Sequence, residues 1–437
     1  MSLYGSFYSS LSGLSTNAQA LSVIGNDLAN LNTIGFKGSN SSFQDLFNSA
    51  MGSSGTQGNG NPMQVGMGTR MGAISQNYSQ GSFQSTGNVT DMALSGQGFF
   101  TLQNSTGGRS YSRAGNFTVD NSGALMDPNG NFVLGWNRIG NALSTNGPIV
   151  PITLNMGTTS PPVATTSMTT TTNLNANAAI FNPADPNPDT SSRYSVPVQV
   201  YDSLGQAHAV SITYTKTAQN AWSYAITTDD QGDPSATPII PPPVVTPATG
   251  TLTFDDNGNL TAASGSTLAV TITGWTDGAA PMATTWNLTS DGTATGTGLI
   301  TQFAADSATS NATQDGFAAG NIRSLVVDKN GMITGNFTNG QTVALGQVAI
   351  STFSNMNGLS KIGDNTWGET LASGAPNIGP ANQGGRGTIL GSQLELSNVD
   401  VADEFTKLII AQRGYQANSK IVTTSDQLLQ ETLNLKQ

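Results

Sequence analysis

The sequence predicts a mainly β protein with a long α-helix at each end. Apolar residues recur at helical spacing near the N-terminus and again near the C-terminus. Between them lie roughly 300 residues rich in Gly, Thr and Asn, in which short apolar runs alternate with turns. We expect the two helices to form a coiled-coil-like domain, beside a discontinuous inner β domain and an inserted outer β domain.

The N-terminal segment, residues 1–47, is expected to be helical. Its apolar positions alternate at spacings of four and three, which places them along one face of a helix. These positions are Phe7, Leu11, Leu14, Ala18, Leu21, Gly25 and Leu28. Asn30, Asn32 and Gly35 are residue types that tolerate the left-handed conformation at a helix end. We therefore predict one long helix that ends near residue 34.

The C-terminal segment, residues 388–437, repeats apolar residues at every seventh position. The first row is Val401, Leu408, Tyr415, Val422 and Leu429, and the second is Ile421, Leu428 and Leu435. Asp400 is the predicted N-cap, with Asp403 and Glu404 in the first turn, where the helix dipole favours negative charge. A helix of about 35 residues would be about 50 Å long. Such a length indicates a partner of equal length, and we expect neighbouring copies to cover the apolar rows.

The region between the helices divides into four parts. Residues 48–69 are rich in Gly and Ser and are expected to be a flexible linker. Residues 70–150 are assigned to the first segment of the inner β domain, and residues 151–313 to the inserted outer β domain. Residues 314–387 resume the inner domain and include a second linker at Ser373–Gly387. One β domain is therefore predicted to be inserted into another.

Composition limits the class of protein. Only 9% of the 437 residues are charged, against about 25% in an ordinary globular protein, and the net charge is −11. An acidic chain without a basic patch argues against nucleic acid or an anionic membrane as partner. No cysteine is present, no apolar run of membrane-spanning length occurs, and the first basic residue is Lys37. We expect neither a membrane span nor a Sec signal.

The residue types that carry chemistry are sparse. His208 is the single histidine, and we interpret it as a surface or turn residue. Three segments that begin at Asp120, Asp255 and Asp328 have glycine at their fourth position and lack the glutamate of a calcium loop, so hairpin turns are predicted instead. No carboxylate pair stands out in an apolar setting. The sequence therefore predicts no catalytic residue, cofactor or metal site, and a protein that is not an enzyme.

Two terminal motifs resemble those of the bacterial flagellar rod and hook family. The first runs from Asn26 to Lys37, and the second from Leu396 to Asp400, continued by Ile409–Asn418. The matching residues include Asn26, Asn30, Gly35, Phe36, Asn398, Gln412, Arg413, Tyr415 and Asn418. Asp27 stands where many members have Asn. Both motifs occur in the order that the family shows.

The middle of the chain resembles hook proteins within that family. Tyr201–His208 is similar to a hook-protein motif of the inserted domain, and Leu345–Ala349 with Asn365–Trp367 to a segment of the inner domain. This resemblance implies a curved, hollow helical tube that acts as a universal joint between motor and filament. It implies terminal helices that line the tube and polymerise with other copies of the chain. The expected location is the extracellular flagellar hook, continuous with the basal body.

The resemblance also implies partners and leaves two rival interpretations. The partners are the distal rod, the hook cap, the hook-filament junction proteins and the flagellar type III export apparatus. The nearer rival is a distal rod protein of the same family, which generally lacks the insertion at 151–313. The more distant rival is a secreted β-rich adhesin or carbohydrate-active enzyme, for which Trp222, Trp275 and Trp286 are the candidate binding platform.

Overall fold

Two compact units make up the chain. The computed structural model describes residues 3–46, 48–50, 64–139, 142–154, 157, 159–184, 189–233, 235–236, 240–261, 267–290 and 298–434. Unit 1 consists of Met1–Met156, Ser324–Asn336 and Thr342–Gln437, and unit 2 of Gly157–Arg323 and Phe337–Gln341. Unit 1 is therefore discontinuous in sequence, and unit 2 lies within it along the chain.

The two terminal helices belong to unit 1. Helix α1 spans Leu3–Ala29 and helix α2 spans Val401–Asn434. Asp400 Oδ1 accepts hydrogen bonds from the amides of Ala402 (2.8 Å) and Asp403 (3.1 Å), which confirms the predicted N-cap. Helix α1 ends about five residues earlier than predicted, and the amides of Leu31 and Thr33 then form turn bonds to the carbonyls of Leu28 and Asn30. Leu435 lies outside the described residues.

Short strands follow α1 up to the start of unit 2. They are β1 Ser39–Asp45, β2 Asn48–Ala50, β3 Gln64–Gly66, β4 Thr69–Gln76, β5 Phe83–Ser85, β6 Met92–Ser95, β7 Phe99–Gln103, β8 Arg109–Ser112, β9 Thr118–Val119, β10 Leu125–Met126, β11 Phe132–Ile139, β12 Ala142–Leu143 and β13 Val150–Pro151.

A hairpin replaces the helical segment and linker predicted after α1. β1 pairs antiparallel with β4, with Ser39 opposite Gln76, and β2 pairs with β3, with Asn48 opposite Gly66. The prediction is therefore wrong for β1, β2, β3 and Thr69, whereas residues 70–76 of β4 fall in the segment predicted as β. The strands are largely polar and exposed, so apolar periodicity gave no signal for them. Phe47 and residues 51–63 lie outside the described residues.

Unit 2 contains the next ten strands of the described chain and a 3-10 turn at Thr190–Ser192. The strands are β14 Ser167–Asn173, β15 Arg193–Tyr201, β16 Ala207–Ala218, β17 Ala221–Thr228, β18 Val244–Thr246, β19 Thr249–Thr253, β20 Thr267–Thr273, β21 Met282–Asn287, β22 Ile300–Thr301 and β23 Ala308–Gln314. They form a four-stranded sheet, β15-β16-β17-β19, and a six-stranded sheet, β18-β20-β21-β14-β22 with β23 on β14. Alternating burial along β14 and most of β16 and β17 is typical of strands with one face on a core.

The core of unit 2 argues against the rival binding platform and corrects the prediction for His208. Trp222 and Trp286 are fully buried and Trp275 is 4% exposed, so these rings fill the core and form no binding platform. Trp222 Nε1 donates to Gln302 Oε1 at 3.1 Å, which satisfies its buried N–H. His208 is buried within β16, and its interpretation as a surface or turn residue is wrong.

Unit 1 resumes after unit 2 with eight further strands and a 3-10 turn at Met356–Gly358. The strands are β24 Ile322–Val327, β25 Met332–Phe337, β26 Thr342–Thr352, β27 Ser360–Gly363, β28 Thr366–Gly368, β29 Asn377–Pro380, β30 Thr388–Gly391 and β31 Gln393–Glu395. The main sheet runs β24-β25-β26-β11-β7-β8-β28-β27, with β9, β10, β12, β13 and β29 attached. β30 pairs with β6, and β31 with β5.

The aromatic core of unit 1 joins both of its β segments. Phe99 packs against Trp367 with ring centroids 5.4 Å apart, and Tyr111 packs edge-on against Phe353 at 4.8 Å. The second predicted linker is wrong for Asn377–Pro380, which is strand β29, paired with β26. These four residues are therefore part of the main sheet.

The three predicted Asp turns are confirmed. Asp120 Oδ1 accepts the amides of residues 122 and 124, Asp255 Oδ1 those of residues 257 and 259, and Asp328 Oδ1 those of residues 330 and 332. The glycine at the fourth position of each turn has a φ of +76° to +83°, which a side chain would strain. Among the described helices, none is long and apolar enough to cross a bilayer.

Candidate assembly site: the terminal helix pair

Helices α1 and α2 pack antiparallel through small side chains. A Cβ on Gly13 would lie 2.7 Å from Asn418 Nδ2, and a Cβ on Gly414 would lie 2.9 Å from Asn17 Oδ1. Farther along the pair, Ala20 of α1 and Ala411 of α2 belong to one buried cluster. Because backbones approach where side chains are absent, these glycines set the closest contact of the helices.

The two asparagines at this contact are held by their own helices. Asn17 Nδ2 donates to the carbonyl of Gly13 at 2.7 Å, and Asn418 Nδ2 donates to the carbonyl of Gly414 at 2.9 Å. Each carboxamide therefore lies over the glycine of the opposite helix in a fixed orientation. The same Gly-x-x-x-Asn pattern, read in opposite directions, forms both halves of the contact.

A buried carboxyl lies at the end of the pair nearest Ala29. Asp27 is 1% exposed; its Oδ2 accepts the amide of Ser39 at 2.8 Å, while its Oδ1 has no hydrogen-bond partner within the described chain. Burial raises the pKa of Asp27, and the nearby Glu404 carboxylate raises it further. Glu404 itself accepts from Lys407 Nζ at 2.7 Å. The helix pair thus contains a buried carboxyl group whose pKa lies above its ordinary value.

A buried ion pair connects the two chain ends to the β structure of unit 1. Lys37 Nζ lies 2.6 Å from Glu395 Oε1, and neither side chain is exposed. Arg113 Nη1 lies 3.5 Å from Glu395 Oε2, and the amide of Gly81 donates to Oε1 at 2.9 Å. Burial lowers the pKa of Lys37, and the bond to Glu395 opposes that effect. One carboxylate therefore pairs with two buried cations.

Asn398 completes this junction just before α2. Its Oδ1 accepts the amide of Gly38 at 2.9 Å, and its Nδ2 donates to the carbonyls of Asn77 (2.7 Å) and Ser79 (3.1 Å). The side chain therefore uses both its donor and its acceptor to join three segments of unit 1.

The other family-motif residues have mixed positions. Asn30 Nδ2 donates to the carbonyl of Asn26 at 2.9 Å at the end of α1. Gly35 has a φ of +67°, and a Cβ there would lie 2.6 Å from the amide nitrogen of Ala114. Phe36 is buried beneath Lys361, whose Nζ lies 5.0 Å from the ring centroid. Gln412, Arg413 and Tyr415 are exposed on α2.

Some of the predicted polymerisation residues are half-buried, and others are exposed. Half-buried are Phe7, Leu14, Leu21, Leu28, Leu408, Val422 and Leu429. Exposed are Leu11, Val401 and Tyr415. Leu21, Leu28 and Leu408 pack on the buried cluster of the helix pair. The most buried positions of α1 are mostly small or polar, namely Ser10, Gly13, Thr16, Ala20 and Asp27, with Ile24 as the one large apolar residue among them.

Sequence reasoning missed the residues that make the closest contacts. Gly13, Asn17, Gly414 and the ion-pair residues Lys37 and Glu395 were not singled out for these roles. The Gly-x-x-x-Asn spacing in both helices was a signal that could have found the first set, because small residues spaced by one turn permit close helix approach. The ion pair has no local signal, since its members are 358 residues apart.

Four sequence profiles match the chain. Residues 7–37 match the flagella basal body rod protein, and residues 93–170 the flagellar hook protein FlgE/F/G D1 domain. Residues 173–317 match the flagellar basal body protein FlaE D2 domain, and residues 391–435 the flagellar basal body rod FlgEFG protein C-terminal. These matches place the chain in the class of flagellar rod and hook proteins. The paired terminal helices, the discontinuous β unit and the inserted β unit agree with this class.

Full-length relatives narrow this class. The chain is 34% identical to the flagellar hook protein FlgE of Treponema pallidum, covering 99% of both chains. It is 33% identical to that of Salmonella typhimurium, covering 99% of this chain and all of the relative. The chain belongs to the flagellar hook protein family, which confirms the resemblance noted from the motifs. It is a structural subunit of the bacterial flagellar hook.

A solved structure supports the fold. The crystal structure of Helicobacter pylori flagellar hook protein FlgE2 matches with a TM-score of 0.50 and 16% identity, over 70% of this chain and 98% of that one. The mainly β fold class with terminal helices is thereby confirmed. Family membership also supports self-assembly within the flagellar basal body and hook.

Proposed function

We propose that the chain polymerises through apolar side chains that the terminal helix pair leaves exposed. Ile410 is 66% exposed, Phe405 51% and Ile409 49%, all on α2. On α1, Leu11 is 44% exposed. Exposed apolar residues clustered on one element are typical of an interaction surface. The exposed row on α2 is the observation that carries this proposal.

A second copy of the chain is the proposed occupant of this surface. Helices α1 and α2 meet through Gly, Ala and Asn, so their pairing leaves much of the apolar surface uncovered. Burial of an Ile or Phe side chain stabilises a complex by about 1.5–3 kcal/mol as an upper bound. Each helix has several such side chains, and their burial would be repeated at every contact between subunits. This burial supplies the driving force for polymerisation.

The polymerisation residues predicted from the sequence are retained in this proposal. Half-buried side chains such as Leu14 and Val422 keep part of their apolar surface for a neighbouring subunit. Exposed motif residues Gln412, Arg413 and Tyr415 would contribute polar and aromatic contacts at the same interface. We assign the tube wall nearest the axis to the helix pair.

The tube would act as a universal joint that transmits torque from the motor to the filament. Its neighbours would be the distal rod, the hook cap and the hook-filament junction proteins, and its export route the flagellar type III apparatus. These assignments rest on family resemblance. We propose no catalytic role for this structural subunit.

Electron microscopy of salt-induced assembly tests the proposal. The variant carries Ile410→Ser and Ile421→Ser, both at exposed positions of α2. Ile362→Ser is the matched control, because Ile362 is 62% exposed but lies on β27. We expect curved tubes from the unmodified chain and from the control, and a critical concentration raised at least tenfold in the α2 variant.

Two outcomes would contradict the proposal. Tubes from the α2 variant at the concentration of the unmodified chain would exclude this surface as the contact. Straight rods from the unmodified chain would favour a shaft over a flexible joint. Circular dichroism of each variant at low concentration verifies that the helices are intact.

A further inference from the structure

An imidazole and two carboxylates converge in unit 2, away from the helix pair. His208 Nε2 lies 3.1 Å from Asp202 Oδ2 and 3.9 Å from Asp277 Oδ2. One ligand atom from each of the three residues lies within 4.8 Å of the other two. Asp202 follows β15, His208 is in β16, and Asp277 is in the connection from β20 to β21. The cluster therefore joins the two sheets of unit 2.

Each aspartate presents one oxygen to the cluster. Asp202 Oδ1 accepts the amides of Leu204 (2.8 Å) and Gln206 (2.9 Å), and Asp277 Oδ1 accepts the amide of Ala279 (3.0 Å). These bonds fix both carboxylates from behind. The Oδ2 atom of each residue is the one that faces His208. Such fixed, single oxygens are suited to monodentate coordination.

The charge around the imidazole is strongly negative. Asp229 Oδ1 lies 4.0 Å from His208 Nδ1, and Asp230 Oδ2 accepts the amide and hydroxyl of Thr276. Across the described residues, the ion pairs of Asp202, Asp229 and Asp277 are with His208 alone. The contact with Asp202 raises the pKa of Asp277, as two adjacent carboxylates require. Three aspartates therefore surround a single imidazole at this end of the unit.

An unsatisfied donor lies against the same cluster. The ring of Trp275 stacks on His208 with centroids 4.1 Å apart. Trp275 is 4% exposed, and its Nε1 has no hydrogen-bond partner in the described part of the chain. A buried N–H without a protein acceptor requires an explanation, such as an ordered water or an ion. A water molecule in a metal coordination sphere would supply such an acceptor.

The geometry points to a binding site for one divalent transition-metal ion, held by His208 Nε2 and the Oδ2 atoms of Asp202 and Asp277. Metal–ligand bonds of about 2.0–2.1 Å in a tetrahedral zinc site place ligand atoms about 3.3 Å apart. The observed separations of 3.1 and 3.9 Å bracket that value. Mixed imidazole and carboxylate donors suit Zn²⁺ or Co²⁺, with water completing the sphere. The ion would clamp the two sheets of unit 2 together.

Metal titration of the full-length chain tests this site. The protein is prepared without a polyhistidine tag, stripped with a chelator, and titrated with Zn²⁺ by calorimetry at a concentration below that of assembly. Because His208 is the single histidine, its imidazole nitrogen resonances report directly on coordination. We expect one equivalent of Zn²⁺ to bind, to shift those resonances and to raise the unfolding temperature.

Variants separate the site from adventitious binding. Asp277→Asn and His208→Gln should each weaken Zn²⁺ binding at least tenfold. Asp256→Asn, at an exposed position of another turn in unit 2, should leave binding unchanged. Thermal unfolding of each metal-free variant verifies its fold. The inference is overturned if 1 mM Zn²⁺ leaves the His208 resonances and the unfolding temperature unchanged, or if His208→Gln binds Zn²⁺ as tightly as the unmodified chain.

Discussion

Gly13 and Asn418 lie in direct contact across the terminal helix pair, with 2.7 Å between Asn418 Nδ2 and the position that a Cβ on Gly13 would occupy. Gly25, in the same helix, has no atom within 4 Å of its corresponding position. Alanine substitution at Gly25 therefore tests helix propensity alone, whereas alanine substitution at Gly13 also tests packing between the helices.

We predict that Gly25→Ala stabilises the helix pair and that Gly13→Ala does not. Alanine is favoured over glycine by about 1 kcal/mol in a helix interior, and Gly25 should show most of this gain. At Gly13 the methyl group displaces Asn418, which is held by its bond to Gly414. Urea unfolding followed by circular dichroism measures both effects. Equal stabilisation by the two substitutions would contradict the proposed close contact.

Asp27→Asn should stabilise unit 1 at neutral pH by about 1 kcal/mol. The substitution removes the charge from a buried carboxylate whose Oδ1 atom has no hydrogen-bond partner within the described chain. The groups that face Asp27 are Glu404, Lys407 and Lys361. Its pKa is raised in the folded state, so the native chain binds more protons between the unfolded and folded pKa values. Its contribution to stability therefore falls as pH rises through that window and stays low above it.

The measurement is urea unfolding of both chains across the acid range up to pH 7. The advantage of Asp27→Asn should be largest at pH 7 and should shrink as the pH falls through the folded pKa of Asp27. Asp45→Asn, at an exposed position of β1, is the control and should change nothing. A pH-independent difference would show that ionisation of Asp27 is not the cause.

The Lys37–Glu395 pair predicts an asymmetric response to substitution. Glu395→Gln leaves Lys37 and Arg113 buried without their carboxylate and should cost about 3–5 kcal/mol. Lys37→Met should cost less, because Arg113 still lies 3.5 Å from Glu395. Denaturant unfolding of both variants tests the order, with exposed Arg70→Met as control. If Lys37→Met lost more stability than Glu395→Gln, the proposed pairing of Glu395 with both cations would be refuted.

Asn398→Asp should destabilise the junction by at least about 2 kcal/mol. The carboxylate has the same shape but places an oxygen opposite the carbonyls of Asn77 and Ser79, which Nδ2 now contacts as a donor. Asn32→Asp, on an exposed side chain, is the matched control. Thermal unfolding provides the comparison, and similar midpoints for the two variants would argue against a structural role for the Asn398 amide.

Local features of the fold were predictable because they depend on neighbouring residues. The N-cap at Asp400 and the turns at Asp120, Asp255 and Asp328 each involve hydrogen bonds over two to four positions. The terminal motifs likewise carried enough information to identify the family. The β1–β4 hairpin was missed because its exposed polar strands lack the apolar alternation that marks a strand on a core.

By itself, the sequence determined where the terminal helices lie, which Asp-x-x-Gly segments turn, and that the chain resembles hook proteins. These properties follow from periodicity and local hydrogen bonding. Only the tertiary structure decided that α1 comes closest to α2 at Gly13 and Ala20, with part of its apolar row packed beside them, and that Lys37 meets Glu395. It also decided that Asp277 meets His208, because contacts between residues distant in sequence depend on how whole elements pack.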